Sequence, residues 1–159
     1  MDQRSLAPIE ILLVEDNQDD VELTTRSFKK ARMQNRVSVA GDGVEALAFL
    51  RREGKYAGSP RPDIILLDLN LPKMSGQELL EIIKRDQALR DIPVIILTTS
   101  KSEEDIMKSY RGQANCFISK PVLMEDFDRV IRTLQDFWFV IVKLPPKTRD
   151  GAAPGKADV

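Results

Sequence analysis

Five apolar runs punctuate this chain, and each ends on polar residues. Ile11-Leu12-Leu13-Val14 leads into Glu15 and Asp16, and Val37-Ser38-Val39-Ala40 into Gly41-Asp42-Gly43. Ile64-Ile65-Leu66-Leu67 leads into Asp68, Val94-Ile95-Ile96-Leu97 into Thr98-Thr99-Ser100, and Cys116-Phe117-Ile118 into Ser119-Lys120-Pro121. Three of them are unbroken stretches of Leu and β-branched residues, the pattern of parallel strands covered on both faces. The second run is the weakest. Between runs the period lengthens to that of a helix. Val21, Thr24, Phe28 and Ala31 share one face, as do Val44, Leu47 and Leu50. Leu79, Ile82 and Ile83 mark a third helix, Ile106 and Tyr110 a more polar fourth, and Phe127, Val130, Ile131, Leu134, Trp138 and Ile141 a long fifth.

Strand and helix therefore alternate five times, which predicts an α/β fold: a (βα)5 doubly wound, five-stranded parallel sheet of the flavodoxin-like kind. Asp16-Asn17 and Ser75-Gly76 supply cap chemistry for the first and third helices. Residues 1–8 read as a loose leader and residues 9–136 as the domain. Residues 137–159 form an extension, an apolar helix end followed by a Pro/Gly-rich tail that cannot continue a helix.

Composition narrows the chemistry. The chain has 159 residues, with 24 Lys+Arg against 25 Asp+Glu and a net charge of −1, so no overall field draws it to nucleic acid or an anionic membrane. The aromatic-aliphatic run at residues 137–142 is far too short to span a bilayer, and no export signal opens the chain. Cys116 is the only cysteine, which excludes an internal disulfide and fits a cytoplasmic location. Histidine is absent altogether, which removes Ser-His-Asp and Cys-His nucleophiles, His-ligated zinc and a phosphohistidine carrier.

Ligands of open parallel sheets bind at the carboxyl ends of the strands. There the sequence offers Glu15, Asp16, Asp68, Thr98 and Lys120. Clustered carboxylates repel, and a hard divalent cation such as Mg2+, which prefers oxygen ligands and substrate phosphates, is the usual remedy. With the repulsion offset, one carboxylate can attack phosphorus and form an acyl phosphate. Asp68, ending the most apolar and so most central strand, is the best nucleophile, and Asn70 is placed to offer the cation a backbone carbonyl. Taken alone, Glu15 and Asp16 read as a helix-capping pair, Asp68 as a turn residue, Thr98 as part of an ordinary loop and Lys120 as an ordinary strand exit. The conjunction at four strand ends carries the chemical reading.

These residues also carry a resemblance. The stretches at residues 11–17 (ILLVEDN), 63–76 (DIILLDLNLPKMSG), 93–98 (PVIILT) and 118–121 (ISKP) resemble the receiver domain of bacterial two-component response regulators across residues 9–136. The resemblance implies that Asp68 is the phospho-accepting aspartate and that Glu15, Asp16, Asp68 and the Asn70 carbonyl hold Mg2+. It also implies that Thr98 and Lys120 bind the phosphate and that a cis peptide before Pro121 aims Lys120. Thr98 and Phe117 would be the switch pair. Phe117 departs from the tyrosine of many members; a phenyl ring has no hydroxyl to donate, and a plain core ring competes as its role.

The loop at residues 54–62 and the ending from Phe137 resemble single-domain regulators paired with bacterial and cyanobacterial phytochrome kinases. That implies a sensor histidine kinase, a bacteriophytochrome, as the phosphoryl donor. Phe137, Trp138, Phe139 and Ile141 leave both faces of their turn apolar, which points to a partner surface and favours a homodimer through the last helix and extension. The expected function is a phosphorylatable switch rather than an enzyme. Alternatives are a relay intermediate passing the phosphoryl group to another histidine protein, and a pseudo-receiver that only binds. A haloacid-dehalogenase type of phosphatase is rejected, because Asn70 stands where that class needs an acid.

Overall fold

Strand and helix alternate as the sequence predicts over residues 9–98 in the computed structural model, which describes residues 8–31, 34–98, 116–119 and 124–136. The elements are β1 (Ile9–Val14), α1 (Gln18–Lys30), β2 (Asn35–Ala40), α2 (Gly43–Arg51), β3 (Ile64–Leu67), α3 (Gly76–Arg85), β4 (Val94–Thr98), β5 (Cys116–Ser119) and α4 (Met124–Asp136). A 3-10 turn, Gly54–Tyr56, lies between α2 and β3. The predicted fifth helix is α4 in this numbering; the more polar one marked by Ile106 and Tyr110 lies outside the described residues.

All strand pairs are parallel, in the order β2-β1-β3-β4-β5. The doubly wound (βα)5 reading holds, and β3 is the middle strand. Its neighbours β1 and β4 are buried with it, and each continuous apolar run serves two cores because successive side chains point to opposite faces. Leu12, Val14, Ile65, Leu67 and Ile96 pack with Ala46, Phe49 and Leu50 of α2 and Leu79, Leu80 and Ile83 of α3. Ile11, Leu13, Ile64, Leu66 and Ile95 pack on the other side with Phe28 of α1 and Ile131 and Leu134 of α4.

Two helix faces differ in detail from the periodicity. On α2 the buried stripe is Ala46, Phe49 and Leu50, and Val44 is 51% exposed. The first turn of α2 meets its neighbours through Gly43, which displaces the stripe around the helix. On α3, Leu80 joins Leu79 and Ile83 in the core in place of Ile82, which is only half-buried. Strand β2 starts at Asn35, ahead of its apolar run, and as an edge strand it leaves Val39 exposed.

The caps follow local chemistry. The Asn17 side chain accepts from the Asp20 N–H at 3.0 Å at the start of α1. Ser75 opens α3 with a full capping box: its hydroxyl accepts from the Glu78 N–H at 3.1 Å while the Glu78 carboxylate accepts from the Ser75 N–H at 3.1 Å.

Candidate functional site

In this strand order the direction of sheet winding reverses between β1 and β3, and a crevice opens there beyond their carboxyl ends. The residues that follow those two strands are Glu15, Asp16 and Asp68. The Glu15 N–H donates to the Ala40 carbonyl at 3.0 Å, and the Asp68 N–H donates to the Val14 carbonyl at 3.1 Å. These bonds extend the ladder by one step and fix both residues at the sheet edge. Glu15 and Asp68 are buried, Asp16 is exposed, and one carboxylate oxygen from each lies within 4.8 Å of the others. Two further bonds orient the carboxylates: the Asn17 N–H donates to Glu15 Oε2 at 3.1 Å, and the Asn70 N–H to Asp68 Oδ1 at 3.1 Å.

Two unit charges about 4 Å apart repel by about 4 kcal/mol at an effective dielectric constant near 20, so positive charge among these three groups is strongly favoured. The donor set is all oxygen and has one solvent-facing member. It fits a hard divalent cation that keeps part of its water shell, and it does not fit a soft metal.

Thr98 ends β4, one strand from β3, and pairs with Ser119 of β5. The backbone of Phe117 lies opposite Ile96 in the same ladder. Lys120 and its peptide to Pro121, together with Phe137, Trp138, Phe139 and Ile141, lie outside the described residues.

The sequence model of the response regulator receiver domain matches residues 11–132, well over half of the chain. This chain belongs to the response regulator receiver family. Among the receiver's relatives, the response regulator Rcp1 of Synechocystis sp. is 41% identical over 145 residues, spanning 91% of this chain and 99% of that protein. A solved structure of the phosphorylated cyanobacterial phytochrome response regulator RcpA matches with a TM-score of 0.84 at 42% identity, covering 88% of this chain and 100% of that one. The Mn2+-bound form of Rcp1 matches with a TM-score of 0.81 at 41% identity, covering 87% and 100%. The chain is thus a receiver-domain response regulator related to phytochrome response regulators.

Several residues that set how α2 and α3 pack in this receiver gave no chemical signal in the sequence. Gly76 opens α3 directly against the residues that follow β3: a Cβ there would lie 2.3 Å from the Asp68 carbonyl oxygen and 2.6 Å from Leu69 Cα. Gly43 plays the same part for α2, where a Cβ would lie 2.8 Å from both Cβ and the carbonyl oxygen of Met74. Their signal was a glycine at the first position of a helix, where cap chemistry alone gives no reason for one. Asp42 caps α2 through the Glu45 N–H at 2.7 Å. Glu45 in turn accepts from the Gly41 N–H at 2.8 Å and from the Tyr56 hydroxyl. Tyr56 also sets its ring edge-on to Phe49 at 5.4 Å, so the loop after α2 is anchored to that helix. Burial, then the Glu45 carboxylate, pushes the Tyr56 phenol up to about 12, and the phenol stays a donor across the physiological range.

Proposed function

We propose that this receiver is a phospho-accepting switch of a two-component system. A sensor histidine kinase gives its phosphoryl group to Asp68 in a Mg2+-dependent reaction, and the new charge changes protein contacts. The observation that carries this reading is the convergence of Asp68 with Glu15 and Asp16 at the crevice between β1 and β3. In the transfer, a carboxylate oxygen of Asp68 forms a bond to phosphorus as the phosphorus–nitrogen bond of the donor histidine breaks. The product is an aspartyl phosphate. Glu15, Asp16, Asp68 and the Asn70 carbonyl would hold Mg2+, which when bound offsets the carboxylate repulsion and the charge on the phosphoryl oxygens. The Asn70 N–H keeps the Asp68 carboxylate turned for attack. Thr98 donates its hydroxyl and Lys120 its ammonium to the phosphoryl group, and Phe117 follows Thr98 inward as it moves.

The relationship to phytochrome response regulators supports a phytochrome kinase as donor, a bacteriophytochrome or its cyanobacterial counterpart. In this reading the protein is cytoplasmic, turns over no substrate beyond its own slow dephosphorylation, and self-associates through Phe137, Trp138, Phe139 and Ile141. Among the described residues no helix is long and apolar enough to cross a membrane.

Intact mass after incubation with a small acyl-phosphate donor tests the central step. The expected result is one added phosphoryl group with the wild-type chain and Mg2+, and none without Mg2+ or with Asp68→Asn. No adduct in wild type, together with no binding of a fluoride phosphoryl mimic, selects the pseudo-receiver reading.

A further inference from the structure

The stretch between β3 and α3 contains a turn that a lysine disfavours. The Met74 N–H donates to the Pro72 carbonyl at 2.7 Å, and Lys73 between them has φ of 69°. This is a three-residue γ-turn with a positive-φ centre, a conformation that glycine or asparagine adopts far more readily. Such backbone strain persists where the surroundings hold it, and it gathers where geometry matters for function.

What holds it here is α2. Lys73 Nζ lies 3.5 Å from Asp42 Oδ2. Asp42 is itself fixed, because its Oδ1 caps the helix by accepting the Glu45 N–H at 2.7 Å. Beside the pair, the missing Cβ of Gly43 lets Met74 seat against the start of α2. At the root of the same loop the Gly76 N–H donates to the Leu69 carbonyl at 3.0 Å, and the Asn70 N–H donates to Asp68 Oδ1 at 3.1 Å. The apex of the loop is thus tied to α2 while its root orients the Asp68 carboxylate.

We infer that Lys73 and Asp42 are positioning residues for Asp68: their ion pair clasps the γ-turn to α2 and so keeps Asn70 in place to orient that carboxylate toward Glu15 and Asp16. The inference rests on reading the acidic cluster as a divalent-cation site with Asp68 as acceptor. A purely electrostatic role has the opposite sign for Lys73. Removing a cation near three carboxylates, by its field alone, tightens binding of a divalent cation. Loosening the clasp weakens it. Lys73→Gly adds a second separation, because it relieves the positive-φ strain while abolishing the ion pair.

The experiment titrates the full chain with Mn2+, following free Mn2+ by electron paramagnetic resonance, and records the thermal midpoint and acyl-phosphate labelling rate of each variant. Lys73→Gln, Lys73→Gly and Asp42→Asn, which keeps the helix cap, are each expected to weaken Mn2+ binding about two- to five-fold, the range of an exposed ion pair. Lys73→Arg restores wild-type affinity, and Asp42→Asn with Lys73→Gln is no weaker than the worse single variant. Lys73→Gly melts no lower than wild type although it binds Mn2+ less well. Unchanged or tighter binding by Lys73→Gln, or additive losses in the double variant, overturns the clasp while wild-type binding and labelling leave the site itself standing. A wild-type chain that neither binds Mn2+ nor accepts a phosphoryl group removes the reading of the site, and the clasp with it.

Discussion

Gly76 stands at the first position of α3, where glycine is a poor helix former, and its reason lies in the segment that leaves β3. Helix and segment approach so closely that a Cβ would press on the backbone of Asp68 and Leu69, neither of which can yield as a flexible side chain can. Gly76→Ala is therefore expected to destabilise the fold by about 1–3 kcal/mol, the cost of overpacking a filled site. Urea denaturation at neutral pH measures it. Because the displaced atoms belong to Asp68 itself, the same substitution slows acyl-phosphate labelling. The glycine was visible in the sequence as part of a cap, yet its contact partners are eight and seven residues away, just past the end of β3. No local pattern records that distance.

Between elements, α1 and α4 are joined by a polar link that the helical periodicity of α1 did not foresee. Ser27 is buried, and its hydroxyl donates to Asp128 Oδ1 at 2.6 Å while Lys30 Nζ reaches Oδ2 at 3.2 Å. The Ser27 hydroxyl first, then Lys30 and Arg132, hold the Asp128 carboxyl below the usual carboxylate range against the opposing effect of burial. A carboxyl whose folded pKa is depressed stabilises the fold above its unfolded value of about 3.9 and loses that contribution as pH falls through the folded value. Ser27→Ala should cost about 1 kcal/mol at pH 7, the net worth of such a bond. The gap between wild type and variant should narrow in chemical denaturation as pH falls through the depressed folded value, where Asp128 becomes protonated in both. The strand runs were legible because burial on two faces leaves no polar position to break them. Faces of helices were less so: on α2, Val44 fits the apolar period and still faces solvent, because Gly43 rather than a side chain seats the first turn.

Across the whole molecule, the acidic cluster faces one end of the sheet, while the strongest concentration of aromatic residues in the sequence comes after α4. Phe137, Trp138 and Phe139 are consecutive and are followed by Ile141. If these residues join two copies, sedimentation velocity of the full chain shows a concentration-dependent dimer that Trp138→Glu converts to monomer. Asp68 labelling by a small donor should persist in that variant, since the acceptor is on a different part of the chain. A dimer unaffected by Trp138→Glu places the contact elsewhere.

The sequence alone determined the kinds of element, their parallel sense and the chemistry each strand end delivers. Those properties are local: an apolar run covered on both faces, a cap, a carboxylate one residue past a strand. Tertiary structure alone decided which strand ends meet. The order β2-β1-β3-β4-β5 sets β1 beside β3 and so brings Glu15 and Asp16 to Asp68 across more than fifty residues of chain. It also decided the close approaches at Gly43 and Gly76 and the pairing of Lys73 with Asp42. Periodicity reports which face of an element is apolar. It carries no information about which distant backbone that face, or the turn beside it, will touch.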